Sequence, residues 1–423
     1  MLKANDPSLH SWIQIAPDSD FPIQNLPFGI FQTPEKDPRV GVAIGNYVLD
    51  MCVLGQYNMF ELIDIDPTVF HRPYLNDFIA HGRPVWRAIR NRVSELLRTN
   101  NEEISGNSEL MQKCLVRMTD AEMLLPVKVG NYTDFYSSLE HATNVGQLFR
   151  DPDNPLLPNW RHMPVAYHGR ASSIVVSGTP IYRPKGQTKA AEADLPAFGP
   201  SKQLDYELEV AFITGKETAL GTSIAADEAD EHIFGLVLLN DWSARDVQKW
   251  EYVPLGPFLS KSFATSISPW VVTLDALEPF RVKGPEQLPR PLSYLDFTGH
   301  RHYDINLEVQ LQPASGNTTT LCHTNFKHLY WNMSQQLAHQ TSNGVNLQVG
   351  DIYASGTISG SEPGSFGSLL ELTRQGQNPV TLPDNTQRSF LQDYDTVIMR
   401  GFSEKEGIRI GFGEVRGQVL PAV

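Results

Sequence analysis

The chain has 423 residues, 41% of them hydrophobic and 10% aromatic. That is too apolar for a disordered polymer, and long enough for two or three domains or for one large and one small. A formal charge of −14 argues against sequence-independent nucleic-acid binding, which needs Lys and Arg to neutralise phosphates, and against docking on anionic membranes.

Residues 1 to about 38 are rich in Pro, Asp and Asn and read as an extended arm. Its first residues lack the apolar run of a signal peptide. Residues 40–49 alternate around Gly45-Asn46, a hairpin pattern. Residues 84–98 read as a helix: Val85, Ile89, Val93, Leu96 and Leu97 share one face and Pro84 suits its first turn. The polar stretch 99–109 marks a boundary, and a second short helix is expected over 109–118. A small N-terminal unit is therefore placed at residues 1–125, with residues 126–423 as the larger domain.

The larger domain reads as mostly strand. Residues 205–214 and 305–311 alternate apolar and polar, while 233–239 is a continuous apolar run, the pattern of a strand buried on both faces. That run is the longest apolar stretch and is too short to span a bilayer. Further strands are expected at 396–399 and 408–412, a helix at 326–337 ahead of Asn343-Gly344, and a long loop at 183–203. Cys52, Cys114 and Cys322 are widely spaced with no CxxC pair, so reduced core thiols in a cytoplasmic protein are expected. No G-x-S-x-G, P-loop or H-E-x-x-H motif occurs.

Carboxylates carry the chemical signal. Glu207 and Glu209, two apart on a strand, point to one face with Cα atoms about 6.6 Å apart, close enough to share a cation. Outward-facing glutamates on a half-solvated strand are the plainer explanation, and Glu308 on the strand at 305–311 is an example. Asp241 ends the buried run, where a lone carboxylate needs a partner, a cation or a helix N-terminus to cap. In the helix expected after it, Arg245, Gln248 and Tyr252 share a face that is either solvated or lines an anion site. Asp134 precedes a segment holding Tyr136 and His141. A histidine near carboxylates serves as a general base or as an ordinary structural residue.

Taken together, DFYSSLEHATNVG (134–146), DYELEVAF (205–212), HIFGLVLLNDWSARDVQKWEYVPLGPF (232–258), KSFATSISPWVV (261–272) and ASGTISGSEPGSFGSLLEL (354–372) resemble the fumarylacetoacetate hydrolase family. Further matching strings lie at 18–29, 157–181 and 325–333, so the resemblance runs from about residue 17 to the end. It implies a mainly β (α+β) fold, with a small SH3-like N-terminal barrel before a large mixed β-roll, in a homodimer. It implies a C–C bond hydrolase that cleaves 4-fumarylacetoacetate, a dicarboxylate β-diketo substrate, to fumarate and acetoacetate in tyrosine and phenylalanine degradation.

The resemblance also distributes roles. Asp134, Glu207, Glu209 and Asp241 match metal ligands, with Lys261 and Thr265 beside a second cation position. Oxygen-only donors suit Ca²⁺ or Mg²⁺. His141 matches the general base, oriented by Glu371, and Arg245, Gln248 and Lys261 match donors to the developing oxyanion. Tyr136, Arg150, Tyr167, Gln248, Tyr252 and Thr357 match substrate-binding positions. The family usually has glycine where this chain has Ser260 and Ala264, which predicts a stiffer loop around Lys261. Acylpyruvate hydrolases, decarboxylases and isomerases share the superfamily, and the N-terminal unit and the His141 segment set this chain apart from them.

Overall fold

A computed structural model describes residues 2–423; Met1, the first residue of the expected arm, lies outside them. Strand outweighs helix. The N-terminal unit is an antiparallel sheet of five strands, ordered Leu115–Arg117, Tyr47–Asp50, Lys36–Ile44, Phe28–Thr33 and Glu122–Leu124. Gly45, at φ 54°, turns the expected hairpin. The helix Arg83–Leu97 packs Trp86, Ile89, Val93, Leu96 and Leu97 into this unit.

Several expectations change. The arm is shorter than expected, because two strands begin inside residues 1–38. Its first part is a packed strap: Ile13, Ile23 and Leu26 are buried and Trp12 Nε1 donates to the Leu96 carbonyl at 3.0 Å. The expected helix at 109–118 is only Ser108–Cys114. Leu115 and Val116 leave it to pair with Leu49 and Val48, since β-branched and apolar side chains gain more from the sheet than from a helix end. The expected long loop at 183–203 contains a hairpin, Lys185–Thr188 with Ala197–Pro200. The helix expected from 326 starts at Met333, because Asn332 and Gln335 form a capping box there. Residues Phe326–His328 make a separate 3₁₀ turn.

The larger domain is two packed sheets. The central sheet runs Ala166–His168, Tyr132–Phe135, Ile352–Ala354, Leu208–Thr214, Ile233–Asp241, Thr265–Ile267, Ile174–Val176, with Val272–Thr273 also paired to Ile233–Asp241. The second is built on Thr319–Asn325, Asn306–Gln312, Thr396–Lys405 and Ile408–Leu420. The last two outrun the short strands expected at 396–399 and 408–412. Leu236, Leu238, Val210 and Phe212 face the second sheet. Val237, Leu239, Ala211 and Ile213 face the N-terminal unit.

The central sheet is therefore covered on both sides. Phe234 meets Trp86 at 5.0 Å, and Phe28 and Phe78 at 5.9 Å each. Leu208–Thr214 is consequently buried at every residue, so the half-solvated strand expected from its alternation is corrected. Glu308, in contrast, does sit on a strand that alternates buried and open positions. No helix among the described residues is long and apolar enough to cross a membrane.

Candidate active site

Strand alternation places all four acidic residues on one face. Asp134 shares its strand face with Tyr132, Glu209 with Ala211 and Ile213, and Asp241 with Val237 and Leu239; all these apolar neighbours belong to the core next to the N-terminal unit. Asp134 pairs in register with Ala354, Ala354 with Ala211, and Asp241 with Thr265, so neighbouring strands bring the groups together. Glu207 lies just before its strand, tied by the Asp241 amide to the Glu207 carbonyl at 3.2 Å. One oxygen from each of the four carboxylates lies within 4.8 Å of the others, and all four residues are buried.

Both plainer explanations fail here. Glu207 and Glu209 are not solvated, and Asp241 does not cap the next helix. That helix is Arg245–Glu251, its N-cap is Ala244 with no side-chain cap, and Asp241 is the last residue of its strand. Asp241 instead accepts hydrogen bonds from Tyr167 Oη (2.8 Å), Lys261 Nζ (2.8 Å) and Thr265 Oγ1 (3.0 Å). Lys261 also pairs with Glu207, and Arg245 Nη1 reaches Glu207 Oε1 at 2.7 Å. Glu209 Oε2 accepts the Gly356 amide at 2.9 Å. Gly356 is at φ 77°, and a Cβ there would fall 2.2 Å from the Phe135 carbonyl oxygen, so only glycine lets this amide approach.

The charges divide the cluster. Burial would raise Glu207, but Lys261 and Arg245 outweigh it and hold its carboxyl below the usual range. Burial and the neighbouring carboxylates push Asp134 and Glu209 well up. Asp134 Oδ1 and Glu209 Oε1 are buried without a hydrogen-bond partner. Two orphaned oxygens in a set of converging carboxylates are what an oxygen-liganded divalent cation satisfies, so the residues fit such an ion.

The second constellation centres on His141. Ser138 caps its helix, Leu139–Phe149, accepting the His141 amide at 3.2 Å. His141 Nδ1 lies 2.6 Å from Glu371 Oε2. Glu371 also accepts Asn144 Nδ2 (2.9 Å), Ser359 Oγ (2.9 and 3.0 Å) and Ser368 Oγ (2.8 Å). Burial works against ionisation of Glu371, but His141 and these donors hold it below the ordinary carboxylate range. The Tyr136 ring stands edge-on to His141 at 5.3 Å, and burial raises its phenol. Gln248 Oε1 accepts Arg245 Nη1 at 3.3 Å, while Arg245 Nη2 and Thr357 Oγ1 are buried without partners.

Two expected substrate contacts sit outside this gathering. Arg150 is exposed and donates to the Pro155 carbonyl at 2.7 Å, although its charge still opposes the upward shift of Tyr136. Tyr252, half exposed, ends the Arg245–Glu251 helix. Neither Ser260 nor Ala264 adopts a left-handed backbone, so the missing glycines cost no strain beside Lys261. Sequence reasoning missed Asn144, Ser359 and Ser368. The Ser/Gly-rich stretch 354–368 was the only signal for the two serines, and hydrogen-bonding hydroxyls in such a stretch more often serve turns; Asn144, three residues after His141 on the same helix face, carried no signal beyond that spacing.

Comparison with known proteins finds relatives over nearly the whole chain. The profile described as fumarylacetoacetate (FAA) hydrolase C-terminal matches residues 131–420, and that described as fumarylacetoacetase N-terminal matches residues 24–126. Fumarylacetoacetase of Homo sapiens is 51% identical over 415 residues, covering 98% of this chain and 99% of the relative. That of Oryza sativa subsp. japonica is 49% identical over 430 residues, covering 100% of each. Among solved structures, fumarylacetoacetate hydrolase from Exiguobacterium antarcticum superposes with a TM-score of 0.53 at 20% identity, covering 94% of this chain and 99% of that one, a likeness of fold.

Proposed function

The chain belongs to the fumarylacetoacetate hydrolase family, and from that premise we propose that it hydrolyses 4-fumarylacetoacetate to fumarate and acetoacetate. One observation carries the reading. His141 Nδ1 is committed to a carboxylate that accepts from three further side chains, which leaves Nε2 as the nitrogen free to take a proton from water.

Asp134, Glu207, Glu209 and Asp241 would hold a divalent cation, Mg²⁺ or Ca²⁺ by the hardness of its donors. When bound, such an ion supplies a Lewis acid for the keto oxygens of the substrate. Lys261 and Tyr167 fix the orientation of Asp241, and Lys261 and Arg245 keep Glu207 ionised. His141 deprotonates a water whose oxygen bonds to the ketone carbon beside the fumaryl unit. The Nη2 group of Arg245, buried and unpartnered, and the side-chain amide of Gln248 are the donors available to the alkoxide. The C–C bond then breaks, its electron pair leaves with acetoacetate as the enolate, and the proton held by His141 is returned to carbon. Tyr136, edge-on to His141, and Thr357, with its buried unpartnered hydroxyl, are the further substrate contacts in this reading, and Arg150 binds the distal carboxylate once it releases Pro155.

The exposed apolar side chains Phe198, Trp250, Leu255 and Phe258 support a homodimer that covers them, and the negative net charge supports a small-molecule substrate over a nucleic acid. Three free, buried thiols suit the reducing cytoplasm. The test is product identification. The purified chain with divalent cation is offered fumarylacetoacetate and, separately, an acylpyruvate. Equimolar fumarate and acetoacetate from the first are expected, whereas turnover of the acylpyruvate alone would reassign the reaction.

A further inference from the structure

Asp205 is a fully buried carboxylate that lies outside the cation cluster. Its Oδ1 accepts the backbone amides of Tyr206 and Leu369, both at 2.8 Å. Its Oδ2 accepts the Leu370 amide at 3.0 Å and Arg245 Nε at 2.9 Å. Four donors on two oxygens fill the acceptor capacity of a carboxylate, so Asp205 has no spare site for substrate or ion.

What it holds is informative. Leu369 and Leu370 begin the short helical turn Leu369–Leu372, whose third residue is Glu371. Ser368 fixes the rest of that turn, accepting the Glu371 amide at 3.4 Å and donating to its carboxylate. On the other side, the guanidinium of Arg245 is a rigid planar fork. Once Nε is bound by Asp205 and Nη1 by Glu207 and Gln248, the direction of Nη2 is set. The backbone reinforces the link, since Leu204 and Asp205 pair with Ala244 and Ser243, directly before Arg245.

We propose that Asp205 is a positioning residue that fixes the oxyanion donor Arg245 and the Glu371 turn, and through it His141, relative to each other. The inference rests on the roles given above to Arg245, Glu371 and His141. A single carboxylate bonded to both makes the distance between base and oxyanion donor a property of one side chain. A displacement of about 1 Å in such a pair can cost about 10²-fold in rate.

The test is Asp205→Asn in the full chain, which keeps shape but turns one acceptor face into a donor facing Arg245 Nε or the amides. The expected result is a kcat lower by about 10- to 100-fold, KM within about threefold, and an unchanged shift of Tm on adding Mg²⁺ or Ca²⁺. Because Asp205 acts through Arg245, Asp205→Asn combined with Arg245→Gln should lose little beyond Arg245→Gln alone, and the same should hold on a Glu371→Gln background. Losses that multiply independently in both backgrounds, an unchanged kcat, or a loss of the metal-induced shift would each overturn the proposal. Asp205→Glu, which keeps the charge and moves it by one methylene, gives the same readouts if the Asn variant does not fold. His141→Ala, measured in parallel, separates the two levels. Full activity there refutes the reading of the site, whereas a dead His141→Ala beside a normal Asp205→Asn refutes only this inference.

Discussion

Glu209→Gln probes the acidic cluster most cleanly. The carboxylate oxygens lie within 4.8 Å of one another, a separation at which two ionised groups repel by about 3.5 kcal/mol at an effective dielectric constant near 20. Without a cation, Asp134 and Glu209 relieve this by keeping protons, in line with their upward shifts. Their folded pKa values lie above the ordinary 3.8 and 4.5. Stability from this source is therefore complete below those values and is lost as pH rises through the folded ones. Each carboxyl protonated in the fold and ionised in the unfolded chain tilts stability by about 1.4 kcal/mol per pH unit.

Histidines with lowered values, His232, His302, His328 and His339, tilt it the opposite way, but only below about pH 6.5. Wild type and variant share these histidines, so the difference between their pH slopes reports the acidic cluster. Gln retains an acceptor for the Gly356 amide and offers its NH₂ to the orphaned Asp134 oxygen. Thermal and urea unfolding of chelated protein as pH rises above the ordinary glutamate value of 4.5 should show Glu209→Gln losing less stability than wild type, by up to about 1.4 kcal/mol per pH unit. With Mg²⁺ or Ca²⁺ at a hundred times Kd, wild type should gain about 2.7 kcal/mol and the variant little. Equal pH slopes in the two metal-free proteins, or an equal gain from the cation, would refute the reasoning.

Other perturbations test separate parts. His141→Ala should lower kcat by about 10²–10⁴ while leaving the cation-induced rise in Tm intact, and near-full turnover would reduce His141 to a structural residue. Arg150→Met should raise KM for the dicarboxylate and leave binding of a neutral ester analogue almost unchanged; equal losses for acid and ester argue against a carboxylate contact. Phe234→Ala, which empties the junction of Trp86, Phe28 and Phe78, should cost about 3–5 kcal/mol in urea unfolding. A loss under 1 kcal/mol would mean that the central sheet and the N-terminal unit do not share a core.

Local chemistry was the legible part of the fold. The run at 233–239 announced a doubly buried strand, Gly45-Asn46 its hairpin, and Pro84 a helix start, because each depends on neighbours within a few residues. The same alternation that placed Glu207 and Glu209 on one face misjudged its surroundings, since the N-terminal unit that buries that face is distant in sequence. The residues themselves singled out the carboxylates, but their grouping as one set of metal ligands and the pairing of His141 with Glu371 came from the family resemblance. Nothing local to His141 points to a residue 230 positions away. Asp205 was passed over inside a strand pattern because its partners, at 245, 369 and 370, meet only in the folded chain.

Turnover of fumarylacetoacetate by exhaustively chelated protein, titrated back with Mg²⁺ or Ca²⁺ and followed by the loss of substrate ultraviolet absorbance, tests the central claim most directly. Activity should vanish on chelation, return in proportion to added cation up to about one ion per chain held by the Asp134–Glu207–Glu209–Asp241 cluster, and fail to return in Asp241→Asn. Full activity in the chelated protein, or normal restoration in Asp241→Asn, would contradict it.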